Sequence, residues 1–235
     1  MNEFIRVPSE YALDFTLDGL DMNSKDLSIL RPRKEFDWDD FYRQGTPMWD
    51  TGLLEPDLKR LVEKNALRPC SALELGCGSG IEAIYLAKKR FDVTAVDCSA
   101  MAIDRAQSRA RRHNALLRIV HEDVFRFCSS LRTPFDFVYD IGFYHFIRQN
   151  HLTAFIDLLW KVTHSGSYYF TLAGSDEEEF DEAYSHQNFL PTVSRDEVFN
   201  ELGTLFEVVE IRKGTIYSRI QENPFKAWAC LFRRP

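Results

Sequence analysis

Short apolar runs alternate with amphipathic runs through the middle of the chain, which is typical of repeated strand–helix units. Five apolar runs, rich in β-branched and aromatic residues, predict strands at residues 71–75, 91–96, 116–121, 135–142 and 167–173. Apolar positions at helical spacing predict helices at residues 55–65, 81–89, 100–110 and 151–162. Because apolar strands are typical of sheets buried on both faces, this alternation predicts a parallel sheet covered by helices on both sides.

The C-terminal part of the chain departs from this alternation. The SRDE run at residues 194–197 predicts a helix start with a capping box. The runs TLFEVVEIRK and KAWACLFR then read as two strands with no helix between them, which predicts an antiparallel hairpin. We therefore predict an α/β fold with a doubly wound, mostly parallel, seven-stranded sheet that ends in a C-terminal antiparallel hairpin.

The N-terminal residues predict a separate region. Residues 1–36 mix short apolar runs with Asp, Ser and Asn, and Pro8 and Pro32 interrupt any long helix, so we interpret them as an N-terminal extension. No linker or internal repeat divides residues 37–235, which we interpret as one domain. Its first part, residues 37–53, is rich in aromatics but broken by glycines and a proline. We call residues 37–53 the aromatic segment.

Charge and cysteine usage narrow the expected partners. The chain of 235 residues carries 29 basic and 36 acidic side chains, a net charge of −7, with no basic footprint for nucleic acid or an anionic membrane. It shows neither a transmembrane run nor a signal-peptide pattern. Its five cysteines are odd in number and lack a C-x-x-C pair, which favours reduced thiols. We expect a cytoplasmic protein, a monomer or weak homodimer, that binds no metal.

A glycine-rich loop lies where the first predicted strand meets the following helix. In LELGCGSG, glycines occupy positions 76, 78 and 80, where backbone N–H groups and the positive helix end can face a ligand. The sixth position of the dinucleotide fingerprint is occupied by Ile81, so the pattern is G-x-G-x-G and a nicotinamide oxidoreductase is disfavoured. The alternative is an ordinary tight turn.

Acidic residues follow the next three predicted strands. Asp97 can accept hydrogen bonds from ribose hydroxyls, Asp123 can accept one from an adenine amine, and Asp140 follows the fourth strand. Ligands of open α/β sheets bind outside the carboxyl ends of the strands. Any single one of these residues could instead cap a helix, but the set favours a nucleoside site.

Together these residues resemble the class I S-adenosylmethionine-dependent methyltransferases. The resemblance rests on ELGCGSG at residues 74–80, on Asp97 and on Asp123, and it extends over residues 37–235. It implies a Rossmann-like methyltransferase fold and S-adenosyl-L-methionine as cofactor. The resemblance implies that the loop holds the methionine portion of the cofactor, that Asp97 binds the ribose, and that Cys98, Asp123 and Val124 lie at the adenine. The implied cofactor-binding residues are Glu74, Gly76, Cys77, Gly78, Gly80, Asp97, Cys98, Asp123, Val124 and Asp140.

A narrower resemblance lies in the aromatic segment. Trp38, Tyr42 and Trp49 are similar to the W-x₃-[WY]-x₆-W pattern of the thiopurine, thiol and halide methyltransferases, in which such aromatics fold over the cofactor. A sulfonium cation is attracted to aromatic faces. The resemblance therefore implies that the aromatic segment is a lid over the cofactor; the alternative is a simple hydrophobic patch.

The fourth strand continues into a third pattern. Asp140, Gly142 and His145 resemble the D-x-G-x-x-H segment of related methyltransferases, although Ile141 stands where the thiol group often has an aromatic residue. We expect His145, and secondly Tyr144, to contact the methyl acceptor, in a pocket walled by Phe143, Tyr144, Tyr168 and Trp228. A structural role for His145 is the alternative. The acidic run at residues 175–182 is a solvated loop or a substrate loop.

These observations predict a methyltransferase that acts on a small molecule by in-line transfer. A soft acceptor such as a thiol, selenol or halide needs no dedicated base, so the lack of a catalytic triad does not argue against activity. Carboxylate and amine acceptors remain open. The alternative from another class is a non-catalytic regulatory module that binds the cofactor without turnover.

Overall fold

A computed structural model describes residues 37–64, 67–178, 191–219 and 223–235. The predicted N-terminal extension, residues 1–36, lies outside the described residues, as does the part of the acidic run from residue 179 to 182. No helix in the described ranges combines the length and apolar character needed to span a bilayer.

The described elements follow the predicted order of strands and helices. The strands are β1 (Ser71–Leu75), β2 (Asp92–Asp97), β3 (Arg118–His121), β4 (Phe135–Ile141), β5 (Thr163–Gly174), β6 (Glu207–Ile216) and β7 (Phe225–Arg233). The helices are α1 (Trp38–Arg43), α2 (Pro56–Glu63), α3 (Ile81–Lys88), α4 (Ala100–Arg112), α5 (Val124–Ser130), α6 (Tyr144–Val162) and α7 (Arg195–Leu202).

The seven strands form one sheet in the order β3-β2-β1-β4-β5-β7-β6. The first five strands run parallel, while β7 pairs antiparallel with both β5 and β6. The strand order reverses between β1 and β4, so a crevice opens there at the carboxyl ends of the strands. This arrangement confirms the predicted α/β fold with its doubly wound sheet and antiparallel C-terminal strands.

Alternate strand residues face two cores, as the period of two in a strand requires. One face carries Leu73, Val138 and Tyr169 and packs against α5, α6 and α7. The other carries Ala72, Phe137 and Phe170 and packs against α2, α3 and part of α4. Both faces of the parallel strands are therefore buried, which explains their nearly continuous apolar sequences.

Three helices differ from prediction, and the first of them is α1, six residues long, which was not predicted within the aromatic segment. α6 begins at Tyr144, seven residues before the predicted start, and its backbone is non-helical at His151, where φ is −135° and ψ is 25°. The pattern predicted only the part after this kink. α5 was not predicted at all; it is seven residues long and begins after Asp123, whose side chain accepts a hydrogen bond from the Arg126 N–H. The predicted capping box of α7 is present at Ser194 and Glu197.

Candidate functional site

The candidate site lies at the crevice between β1 and β4. The glycine loop, residues 76–80, follows β1, and a second tight turn around Gly142 follows β4. The two loops touch, because a Cβ atom added to Gly76 would come within 2.7 Å of the Phe143 ring. The two sequence motifs therefore meet at the point where α/β sheets of this kind bind ligands.

All three glycines of the loop have a left-handed backbone. Their φ angles are +68° at Gly76, +50° at Gly78 and +75° at Gly80, a region that other residues adopt only with strain. A Cβ atom at Gly78 would lie 3.3 Å from the Tyr42 hydroxyl, and one at Gly80 would lie 3.0 Å from Ala106. The glycines are thus required both by the turn itself and by the close approach of neighbouring groups.

Asp97 ends β2 directly beside this loop. Its carboxylate accepts hydrogen bonds from the backbone N–H groups of Gly78 and Ser99, each at 2.8 Å. Burial raises the pKa of Asp97, and the two N–H donors oppose that rise. A carboxylate has about four acceptor positions, so Asp97 can position the loop and still accept hydrogen bonds from ribose hydroxyls.

The residues proposed to surround adenine follow β2 and β3. Cys98 and Asp123 are exposed, whereas Val124 is buried at the start of α5. One Asp123 oxygen caps α5. Asp123 therefore has the helix-capping role that was the alternative to adenine binding. Its second oxygen is the one that could accept a hydrogen bond from an adenine amine.

The aromatic segment covers the crevice from the other side. Trp38 packs edge-on against Trp49 and against Phe146 of α6, with ring centroids 5.8 and 5.4 Å apart. The Trp49 indole N–H points to the Tyr42 hydroxyl at 3.4 Å. The three predicted aromatics therefore form one cluster that reaches from the glycine loop to the β4 turn, with Phe146 as a member that the sequence patterns did not identify.

Polar contacts tie this cluster to α4. Asp39 accepts hydrogen bonds from the Ser99 hydroxyl and, at 3.2 Å, from the Met101 N–H. Arg105 donates to the Tyr42 carbonyl at 3.2 Å and to the Gly45 carbonyl at 2.6 Å. Its guanidinium also lies 4.9 Å from the centre of the Tyr42 ring. Neither Asp39 nor Arg105 was identified from the sequence, because each acts through partners that are distant along the chain.

Asp140 is placed differently from the prediction. It is fully buried, and its carboxylate accepts hydrogen bonds from the N–H groups of Phe143 and Tyr144 and from the hydroxyls of Tyr169 and Thr171, at 2.7 to 3.1 Å. Burial raises its pKa to about 6. Both oxygens already have protein partners, Oδ1 the two N–H groups and Thr171 and Oδ2 the Tyr169 hydroxyl, which disfavours the expected contact of Asp140 with the cofactor.

Tyr144 likewise has its own partners in the protein. Its ring is fully buried against Phe155, and its hydroxyl donates to Glu201 of α7 at 2.6 Å. Tyr144 therefore belongs to the core, which disfavours its expected contact with the acceptor.

The proposed pocket of four aromatic walls is wrong for a related reason. Tyr144 and Trp228 belong to one face of the sheet and Tyr168 packs on the opposite face. The Trp228 indole N–H donates to the Val193 carbonyl at 3.0 Å within the core. Of the predicted walls, Phe143 borders the glycine loop, with its ring 2.7 Å from a Cβ atom added at Gly76.

His145 lies behind the β4 turn with 1% of its surface exposed. Its Nδ1 accepts a hydrogen bond from the Gly174 N–H at 2.8 Å, and burial lowers its pKa to about 3. The ring is therefore neutral at physiological pH. Because Nδ1 is the acceptor, the proton of the neutral ring is on Nε2, which leaves a donor and not a base.

Two members of the glycine motif face inward. Glu74 is 2% exposed and accepts a hydrogen bond from the Tyr139 hydroxyl, and burial together with the nearby Glu82 carboxyl raises its pKa well above the usual range. Cys77 is buried, and burial together with the nearby Asp97 carboxyl raises the pKa of its thiol. A raised thiol pKa favours a small filler over a nucleophile, while contact of Glu74 or Cys77 with the cofactor stays a prediction.

Among the residues that the structure describes, no three His, Cys, Asp or Glu side chains lie together as metal ligands would. All five cysteines are free thiols.

Comparison with known proteins identifies a family that matches the chain. The sequence model of the family described as "Tellurite resistance protein TehB" matches residues 49–199, which is more than half of the chain. That range includes the glycine loop, Asp97 and the β4 turn.

Three curated relatives match at lower identity. "Hemagglutinin 1" of Eikenella corrodens is 28% identical over 130 residues (55% of this chain, 42% of the relative). "Probable thiol methyltransferase 2" of Arabidopsis thaliana is 28% identical over 109 residues (46% and 47%). "Probable S-adenosyl-L-methionine-dependent methyltransferase TehB" of Haemophilus influenzae is 22% identical over 113 residues (48% and 39%). The chain thus spans less than half the length of each.

Solved structures confirm the fold. A structure described as "Conversion of a Disulfide Bond into a Thioacetal Group during Echinomycin Biosynthesis" superposes with a TM-score of 0.71 at 22% identity, covering 83% of this chain and 89% of that one. At this identity the likeness concerns the fold alone, which is the Rossmann-like fold predicted from the sequence. From the sequence-model match over residues 49–199, the chain belongs to the TehB family.

Proposed function

We propose that this protein is an S-adenosylmethionine-dependent methyltransferase that acts on a small-molecule acceptor. One observation carries the proposal: a left-handed glycine loop and Asp97 lie beneath an aromatic cluster at the crevice between β1 and β4. Membership of the TehB family and the resemblance to class I methyltransferases support it, as does the relative in Haemophilus influenzae.

The residues present fit this cofactor. Gly76, Gly78 and Gly80 have no side chains of their own between the loop N–H groups and the methionine end. Asp97 can accept from the ribose hydroxyls, and Cys98 and Asp123 are exposed where adenine would lie. The cofactor supplies an electrophilic methyl group on a cationic sulfur. Trp38, Tyr42 and Trp49 would stabilise that cation by about 0.5–2 kcal/mol and would exclude water from the crevice.

We further propose a soft, anionic or easily ionised acceptor such as a thiol, selenol or halide. Such acceptors need no base. Because His145 Nδ1 is occupied by the Gly174 N–H, the ring carries its proton on Nε2, beside Gly142 of the β4 turn, where it can donate to an anion that enters the turn. The name of the Arabidopsis thaliana relative is consistent with a thiol. The expected contact of His145 with the acceptor is therefore donation from Nε2–H to an anion, and not acceptance of a thiol proton.

The acceptor is tested by release of S-adenosylhomocysteine over a panel of thiols, halides, carboxylates, amines and RNA. We expect turnover with thiols or halides. Two substitutions divide the role of His145: His145→Asn keeps an acceptor for the Gly174 N–H but removes the distal donor, whereas His145→Gln keeps a distal donor. We expect His145→Asn to lower kcat/KM for anionic acceptors about tenfold with unchanged cofactor affinity, and His145→Gln to lower it less.

Other outcomes of this panel separate the alternatives. Turnover on RNA alone would exclude the small-molecule proposal, and turnover on amines alone would exclude a soft acceptor. Cofactor binding with no turnover on any acceptor would favour the non-catalytic module. His113→Ala, an exposed histidine that ends α4, serves as the matched control.

Cofactor binding is tested at Asp97. We expect Asp97→Ala to weaken both S-adenosylmethionine and S-adenosylhomocysteine by about 1.5–3 kcal/mol, because charge-assisted hydrogen bonds to the ribose are lost and the Gly78 N–H loses its acceptor. Isothermal titration calorimetry measures both ligands. Unchanged affinity in this variant would remove Asp97 from the proposed site.

The aromatic segment is tested as a cover over the cofactor. We expect cofactor to slow protease cleavage near Gln44–Thr46, and Asp39→Ala to speed cleavage and weaken cofactor binding about tenfold, because Asp39 joins the segment to the start of α4. Asp104→Ala, an exposed aspartate on the same helix, is the control. Equal cleavage with and without cofactor would show that the segment is a permanent part of the core.

A further inference from the structure

A cleft of about 350 Å³ lies beside the aromatic segment, and arginines dominate its walls. Three of them, Arg105, Arg109 and Arg112, project from one side of α4, and the fourth, Arg219, follows β6. Their spacing on α4 is four and three residues, which places their side chains on one face of the helix. The acidic composition of the chain concealed this local excess of positive charge.

Two of the arginines share one acidic partner. Asp50 lies 3.5 Å from Arg105 Nη1 and 3.2 Å from Arg109 Nη2. Arg109 also donates to the Ser79 carbonyl at 2.9 Å. Within the described residues, no hydrogen bond or ion pair is made by the side chains of Arg112 and Arg219, both of which are exposed. Four guanidinium groups around one carboxylate leave the cleft with a net positive charge, and their mutual repulsion would be relieved by a bound anion.

We propose that this cleft binds a small, multiply charged oxyanion of the phosphate class, and that the bound anion holds the aromatic segment against α4. Guanidinium groups recognise phosphate oxygens through paired N–H donors. The volume suits phosphate or pyrophosphate, either free or as part of a larger metabolite.

The walls of the cleft explain why binding there would reach the cofactor site. Thr46 and residues 50–52 come from the aromatic segment, whose Trp49 packs against Trp38, and the Arg219 N–H donates to the Met48 carbonyl at 2.8 Å. An anion bridging Arg112 and Arg219 would therefore join α4, the aromatic segment and the residues after β6. By linkage, whatever stabilises the closed segment tightens cofactor binding, and cofactor tightens anion binding equally.

The direct test is calorimetric titration of inorganic phosphate, pyrophosphate and adenosine monophosphate at constant ionic strength, with no cofactor present. We expect binding by the wild-type protein and about tenfold weaker binding by the double variant Arg112→Gln/Arg219→Gln. Arg111→Gln is the control for the loss of an α4 arginine, because it removes one positive charge from an exposed position that does not line the cleft. If adenosine monophosphate bound but neither phosphate nor pyrophosphate did, the ligand of the cleft would be a nucleotide and not a free inorganic ion.

The coupling between anion binding and the aromatic segment is measured without methyl transfer. Its result is therefore independent of the proposed activity. We expect phosphate to slow proteolysis near Gln44–Thr46 in the wild type and in Arg111→Gln but not in the double variant. Phosphate that competes with S-adenosylhomocysteine would overturn the inference, since the cleft would then belong to the cofactor site. Binding of oligonucleotides but of no small phosphate would overturn it in favour of a nucleic-acid surface, and equal phosphate binding by wild type and double variant would remove the cleft altogether.

Discussion

Gly76→Ala is expected to abolish measurable cofactor binding and to lower the free energy of unfolding by about 2–4 kcal/mol. The new methyl group would impose a left-handed conformation on alanine, at φ +68°, and would collide with the Phe143 ring at 2.7 Å. Either the glycine loop or the β4 turn must then move, and the two loops together form the crevice. Calorimetry with S-adenosylhomocysteine and urea denaturation measure the two effects.

Gly166→Ala separates backbone strain from this collision. Gly166 also has a left-handed φ, of +90°, but nothing lies within 4 Å of its added Cβ atom and it precedes the part of β5 that borders the site. We expect a loss of about 1–2 kcal/mol in stability and no change in cofactor affinity. If both variants behaved alike, the contact between Gly76 and Phe143 would have no part in forming the site.

Asp140→Ala is expected to lower the free energy of unfolding by about 3–5 kcal/mol, because it leaves two backbone N–H groups and two hydroxyls in the core without their acceptor. Asp140→Asn should lose less, because its remaining carbonyl oxygen can still accept from the N–H groups of Phe143 and Tyr144. Urea denaturation of the three proteins gives these differences.

The same variants decide between two roles for Asp140. If Asp140→Asn kept its stability but bound cofactor far more weakly, the carboxylate would contact the cofactor after all. Parallel losses of stability and affinity, larger in Asp140→Ala, would agree with its position beneath the β4 turn.

The sequence predicted the sheet well because its signals are local. The strand at 71–75, the glycine loop and the capping box at Ser194 each depend on neighbouring residues, and the structure places them as predicted. α6 was predicted seven residues too late because the apolar pattern is clear only after the kink at His151. The pairing of β7 with β5 cannot be read from either strand alone.

Side-chain roles were harder to predict than elements. Asp140 and Tyr144 follow a strand at the correct edge of the sheet, but the chain itself uses their polar groups, for the turn after β4 and for Glu201. The type and position of a residue do not show whether its side chain will accept a hydrogen bond from a buried N–H group of the protein. The cleft was not predicted, because it combines the arginines of α4 with Asp50 and Arg219, which are remote in sequence.

The place of β7 determines the order in which one side of the sheet can assemble. β6 comes first in the chain, yet among the described strands it pairs with β7 alone, and β7 pairs along its length with β5. Before β7 docks, β5 is an open edge and β6 has no strand to join, so both present unpaired backbone groups to other chains. Aggregation during synthesis or refolding should therefore depend on how long that interval lasts more than on the stability of the completed sheet.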